Sequence, residues 1–171
     1  MKYNIKLKKA IILNEISIER KIRRLSYEIY ERNFNSKNIF LFGVKNNGII
    51  LSKLLKKELA NICNIGVSIV EVEVDKKKSI VDKISFNKIL MENNKLPIIV
   101  IDDVCNSGKT LMKVISNIVL KFNNPVSTLV LVDRKNHSYP IKANYVGLEI
   151  STTLRQFIEV QLESDKVAYL F

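Results

Sequence analysis

The chain has 171 residues, 47% of them hydrophobic, and 28 Lys and Arg against 17 Asp and Glu give a net charge of +11. That length suits a single domain spanning residues 1–171, large enough to bury a core without disulfides or structural metal. No apolar run reaches membrane-spanning length, the opening MKYNIKLKKA lacks a signal-peptide core, and Cys63 and Cys105 stand in unrelated contexts, so a reduced cytoplasmic protein with no membrane partner is expected.

Ile11–Leu13 is a short apolar run closed by Asn14, a residue suited to capping the helix that follows. From Ile16 to Asn33, Ile18, Ile22, Leu25 and Ile29 recur at helical spacing, and Tyr27 and Tyr30 read as packing within that helix. Ile39–Val44 reads as a buried strand, Gly43 and Gly48 bracket a tight loop, and Ile49 to about Ala60 forms a second amphipathic helix. Val67–Val74 alternates Val and Ile with Ser and Glu, a half-exposed strand that runs into the lysine-rich stretch Asp75–Lys83. Ile98–Ile101 is a continuous apolar run of the kind found in central parallel strands. A helix over Leu111–Phe122, strands over Ser127–Val132 and Tyr145–Ile150, and a final hairpin from Phe157–Leu162 and Val167–Phe171 complete the chain. Strands alternating with helices imply an α/β fold, a parallel sheet flanked by helices, with ligands at the carboxyl ends of the strands.

Asp102 and Asp103 end the most hydrophobic strand, and Val104-Cys105-Asn106-Ser107-Gly108-Lys109-Thr110 then opens a helix. Small and polar residues there let backbone N–H groups surround a phosphate at the helix N-terminus. Two adjacent carboxylates suit ribose hydroxyls, or a magnesium ion held through water and substrate oxygens. A single capping acid would be ordinary at a strand end, but two together point to a ligand. Gly108-Lys109-Thr110 mimics the end of a Walker A loop, yet Asp103 stands where that motif needs glycine, which argues against a nucleoside triphosphatase.

IIVIDDVCNSGKT is similar to the phosphoribosyl pyrophosphate motif of type I phosphoribosyltransferases. ILNEISIERKIRRLSYEIYERN, IFLFGVKNNGIILSKLL and LVLVDRKNHSYPIKANYVGLEISTT resemble the PyrR branch, pyrimidine-operon attenuators that are also uracil phosphoribosyltransferases. The resemblance implies the type I fold with a small hood built from both chain ends, Mg2+ as cofactor, and association as a homodimer or higher homo-oligomer. It implies that Asp102 and Asp103 act as the catalytic pair on the ribose hydroxyls, with Mg2+ near them, and that Val104 to Thr110 hold the 5-phosphate. Lys45, Asn46, Asn47 and Gly48 would form the pyrophosphate loop, Lys76, Lys77 and Lys78 a mobile loop, and Asp133 and Arg134 the region beside the base. The partners would be phosphoribosyl pyrophosphate and a nucleobase, uracil foremost.

Several positions depart from the family pattern. Asn47 replaces the usual Arg of the pyrophosphate loop, and the middle loop is altered around Lys76–Lys78. In the Asp-Arg-Gly-His pattern, Lys135 and Asn136 replace Gly and His, with His137 next in line. The usual Thr-Ser-(Lys/Arg)-Ser-Glu is here Thr152-Thr153-Leu154-Arg155-Gln156. Asn106 stands where hypoxanthine–guanine enzymes carry Asp, which argues against purine salvage. His137, in a polar loop before Pro140, reads as a surface residue, and Cys105 as a small residue the phosphate loop requires.

A second expectation belongs to a different class: an RNA-binding regulator that senses nucleotide with little or no catalysis. Arg24 matches an RNA-facing Arg of the PyrR family, and Arg20, Lys21 and Arg23 crowd it. The overall lysine excess, of the kind an AT-rich coding sequence produces, explains a basic helix face more simply.

Overall fold

The side chains of successive strand residues point to opposite faces, and here both faces are apolar. Ile39, Leu41, Ile99, Ile101, Leu129 and Leu131 supply one core, whereas Phe40, Phe42, Ile98, Val100 and Val130 supply the other. Such strands must be covered on both sides, which is why helices flank the sheet.

The computed structural model describes residues 9–74, 83–84, 95–153 and 155–171. In chain order the elements are β1 (Ala10–Leu13), α1 (Glu15–Asn33), β2 (Asn38–Val44), α2 (Asn47–Ile62), β3 (Gly66–Glu73), β4 (Lys83–Ile84), β5 (Ile98–Cys105), α3 (Lys109–Lys121), β6 (Val126–Asp133), β7 (Tyr145–Glu149), β8 (Ile158–Gln161) and β9 (Val167–Leu170). The main sheet has the order β4-β3-β2-β5-β6-β7, with β3, β2, β5, β6 and β7 parallel and β4 antiparallel at the edge. α1 and α2 bury Ile18, Ile22, Leu25, Ile29, Leu51, Leu55 and Leu59 against one face, and α3 buries Leu111, Val114 and Ile118 against the other. The expected capping residue starts α1: the Asn14 side chain accepts from the Ser17 N–H at 2.9 Å.

A second, antiparallel sheet of order β1-β9-β8 joins the two ends of the chain. Its inward residues Ile158, Val160, Leu162 and Ala168 belong to the same core as α1 and α2, and Lys166 bridges to Glu15 and Glu19 of α1. This is the hood the sequence implied. Among the described residues, no helix is long and apolar enough to cross a membrane.

Three local expectations are corrected. The central strand does not stop at the acidic pair: β5 runs on through Val104 to Cys105, because β6 continues to pair with it as far as Cys105 opposite Asp133. Tyr27 and Tyr30 do not pack alike, since Tyr30 rests on the core while Tyr27 is exposed. His137 is not a surface side chain, because Asp133 draws its imidazole into the loop after β6, with Nε2 2.7 Å from Oδ1. The expected mobile-loop residues Lys76, Lys77 and Lys78 lie outside the described residues.

Candidate active site

Chain order dictates where the sheet opens. α2 carries the chain from β2 outward to β3, and α3 carries it from β5 the opposite way to β6, so the connections part between β2 and β5. Such a switch point leaves a crevice beyond the strand ends. The ladder between β2 and β5 ends at Gly43 opposite Ile101, whereas β5 stays bonded to β6 for four more residues. Asp102 and Asp103 therefore lie on a strand segment whose β2 side has fallen away.

A cavity of about 440 Å³ fills that gap, lined by Lys45, Asn46 and Asn47, by Asp102, Asp103, Val104, Asn106 and Thr110, by Glu73 and Val74, and by Ile158 to Val160 of the hood. A smaller cup of about 50 Å³ adjoins it, lined by Asp102 and Val104 to Leu111. The sequence-selected acidic pair, the loop opening α3 and Lys45 to Asn47 thus face common space.

The carboxylates are held by short local bonds. Asp102 Oδ1 accepts from the Asp103 N–H at 3.0 Å, and Asp103 Oδ1 accepts from the Val104 N–H at 2.9 Å. Asp103 Oδ2 accepts from Asn47 Nδ2 at 2.7 Å, and the same amide nitrogen donates to the Val160 carbonyl at 2.8 Å. With Glu73 on the wall, the acidic donors are all oxygen, a set suited to a hard cation such as Mg2+ rather than to a thiophilic metal.

The two loops are shaped by backbone demands. Gly48 passes so close to β5 that a Cβ would stand 2.6 Å from the Ile101 carbonyl oxygen. Asn46, just before α2, has φ 72° and ψ −118°, a conformation that non-glycine residues seldom adopt. At the cup, Gly108 has φ 81°, turning the chain into α3. The free N–H groups at the starts of α2 and α3 give this edge of the sheet a positive bias for anionic ligands.

Arg134 joins the walls on the other side. Its guanidinium donates to Thr152 Oγ1 at 2.8 Å, to the Thr153 carbonyl at 3.1 Å and to Asn106 Oδ1 at 3.1 Å. Asp133 is 3% exposed and accepts from the Lys135 N–H and from His137, so its carboxylate is committed to its own loop. Arg24 stands well apart, donating to the Val146 and Gly147 carbonyls of β7 and pairing with Glu28.

Sequence reasoning missed Glu73, which pairs with Lys45 at 2.6 Å, and the hood residues Ile158, Glu159 and Val160. The parallel register, with Val44 opposite Val72, carries Lys45 to Glu73, a relation that only strand pairing reveals. The ion pair holds the Lys45 ammonium above its usual range, chiefly through the hydrogen bond to Glu73.

Residues 10–165 match the phosphoribosyl transferase domain family. The chain belongs to the type I phosphoribosyltransferase family. Among its curated relatives, the bifunctional protein PyrR of Streptococcus thermophilus is 36% identical over 160 residues, 90% of each chain. The bifunctional protein PyrR of Oceanobacillus iheyensis is 33% identical, covering 91% of each. Solved phosphoribosyltransferase structures share the fold. The Trypanosoma cruzi hypoxanthine phosphoribosyltransferase superposes with a TM-score of 0.73 at 17% identity, over 92% of this chain and 94% of that one. A Bacillus anthracis hypoxanthine-guanine phosphoribosyltransferase gives 0.70 at 21%, over 90% and 87%.

Proposed function

We propose that this phosphoribosyltransferase moves ribose 5-phosphate from phosphoribosyl pyrophosphate to a nucleobase, uracil foremost, releasing pyrophosphate. The observation that carries the reading is the opening between β2 and β5, where an acidic pair and a helix N-terminus line one cavity and a phosphate-sized cup adjoins it.

In this reading the cup of Cys105 to Thr110 holds the 5-phosphate by backbone N–H groups, and Asp102 and Asp103 hold the ribose hydroxyls. Lys45 to Gly48 face the pyrophosphate. Displacement at C1 passes through a cation-like sugar, so positioning and charge complementarity matter more than a nucleophilic side chain. Asp102 and Asp103 would hold Mg2+ brought with the substrate, and the ion would supply charge neutralisation for the departing pyrophosphate. The hood strand β8, which forms part of the cavity wall, excludes water from that centre.

The acceptor is argued from Asn106. Its amide oxygen accepts from Arg134, so a neutral group tied to a guanidinium stands where a purine enzyme keeps a proton-accepting acid. Uracil N1 also gives up a proton as the bond to C1 forms, and in this reading that proton passes to solvent or to the departing pyrophosphate rather than to Asn106. The decisive experiment measures pyrophosphate release from phosphoribosyl pyrophosphate and Mg2+ with a panel of free bases, beside the Asp102→Asn/Asp103→Asn variant. Turnover on uracil that the variant loses supports the reading; failure of the wild type to bind phosphoribosyl pyrophosphate sinks it.

A second reading is a nucleotide-sensing RNA-binding regulator. It is favoured by the bifunctional relatives and by Arg20, Arg23 and Arg24, all exposed on α1. Salt-dependent binding of a specific leader RNA, strengthened by uridine monophosphate, is its signature; equal weak binding to every RNA removes it.

A further inference from the structure

Three side chains that the transfer chemistry leaves unused meet where the loop after β6 packs on the loop after β5. Cys105 and Asp133 are direct partners across the end of the β5–β6 ladder, and His137 follows Asp133 by four residues. The Cys105 sulfur, an Asp133 carboxylate oxygen and a His137 ring nitrogen all lie within 4.8 Å of one another. The two loops are stitched together around them: the Arg134 N–H donates to the Cys105 carbonyl, and the Ser138 and Tyr139 N–H groups both donate to the Ser107 carbonyl.

We propose that Cys105, Asp133 and His137 form a binding site for one borderline transition cation, Zn2+ above others, with a water as fourth ligand. The donor set decides the class of metal. One thiolate, one imidazole and one carboxylate suit Zn2+ or Co2+, whereas Mg2+ and Ca2+ seek oxygen alone. Around a tetrahedral Zn2+, with bonds of roughly 2.0–2.3 Å, donor atoms sit about 3.3–3.6 Å apart. The His137–Asp133 contact of 2.7 Å would therefore open slightly, and the sulfur would draw in, both within the reach of small side-chain rotations.

The surroundings favour a cation. Cys105 and Asp133 are 2% and 3% exposed, so the carboxylate has little water to stabilise it. The Cys105 thiol stands beside the Asp133 carboxylate and the His137 ring, a donor set that one cation can bridge. A metal would displace the thiol proton to solvent as the sulfur–metal bond forms, turning a repelled thiolate into a bound one. The Lys135 N–H already fixes the Asp133 carboxylate at 2.8 Å, the kind of outer bond that orients a ligand. His137, whose side chain is 15% exposed, provides the way in from solvent.

The rival reading is a nucleophilic Cys-His-Asp triad. A buried, protonated thiol is a poor nucleophile. Disulfide chemistry fails as well, since both cysteines are free and Cys63 closes α2, remote in the chain from Cys105.

The test adds Co2+ to the reduced, full-length chain. The expected result is one equivalent bound, with an intense thiolate-to-cobalt absorption and the visible bands of a tetrahedral ion, displaced by Zn2+. Cys105→Ser removes the thiolate band, His137→Gln weakens binding by about 10–100-fold, and Cys63→Ser changes neither. Circular dichroism checks each variant; should Cys105→Ser not fold, the partly exposed His137→Gln decides. A cobalt spectrum without the thiolate band, as binding at Asp102 and Asp103 alone would give, overturns the proposal. So does unchanged affinity in His137→Gln. Neither readout depends on phosphoribosyl transfer, so the outcome is separate from that of the activity assay.

Discussion

The amide nitrogen of Asn47 lies 2.7 Å from Asp103 Oδ2 and 2.8 Å from the Val160 carbonyl oxygen, so one side chain ties the acidic pair to the hood. In the family pattern that the sequence resembles, an arginine is usual at this position. Here the shorter amide anchors the site's own carboxylate instead of reaching toward substrate.

Asn47→Ala is therefore expected to loosen Asp103 and raise KM for phosphoribosyl pyrophosphate about tenfold, the scale of a lost hydrogen bond to a charged group. Asn47→Asp should be worse, because two carboxylates would face each other at the same spacing. Steady-state kinetics on both variants checks the order; equal KM in wild type and Asn47→Asp would refute it.

Gly48→Ala should be disproportionately harmful for one methyl group. Its Cβ would press on the Ile101 carbonyl oxygen, backbone that cannot swing aside, so α2 must shift away from β5. A loss of about 1–3 kcal/mol is expected by chemical denaturation, together with weakened substrate binding.

Arg134→Lys keeps the charge but loses the fork that spans Thr152, Thr153 and Asn106. The expected outcome is a rise in KM for the base of about tenfold with little change in KM for phosphoribosyl pyrophosphate. Varying each substrate in turn separates the two effects.

The Cys105 thiol makes the fold sensitive to alkali. Its ordinary value is 9.0 and burial pushes it up to about 12. The folded chain thus keeps a proton that the unfolded chain releases. This contribution to stability is complete below pH 9 and is lost as pH rises from 9 toward 12, at up to about 1.4 kcal/mol per pH unit. Denaturation of metal-free protein across that range should show the slope, and Cys105→Ala should flatten it. At neutral pH a thiol reagent should label Cys63 before Cys105, which is buried.

Much of the architecture was legible because burial on both faces leaves continuous apolar runs. Ile98–Ile101 announced a central strand, and the α1 and α2 stripes announced their packed faces. The extension of β5 past the acidic pair to Cys105 was hidden, because two acids interrupt the apolar run while the hydrogen bonds follow β6. His137 was misread for a related reason: a loop has no period from which to infer that Asp133 would capture the ring. The Asn47–Asp103 bond joins residues 56 apart in the chain and has no local signal. Arg24 was matched to an RNA-facing arginine, and nothing in the sequence signalled that its guanidinium meets two backbone carbonyls on β7, a contact set by how α1 crosses the sheet.

The early end of the β2–β5 ladder has a mechanical meaning. Beyond Ile101 the acidic pair travels with β6, while the loop at Lys45 to Gly48 travels with β2 and α2. The Asn47–Asp103 bond is a light brace across that seam. A ligand gripping both sides at once would act as a strut, replacing the rungs the sheet gives up there. Substrate binding should then stiffen the whole carboxyl edge, and slowed amide exchange at Val104 and Gly48 would register it from opposite banks of the seam.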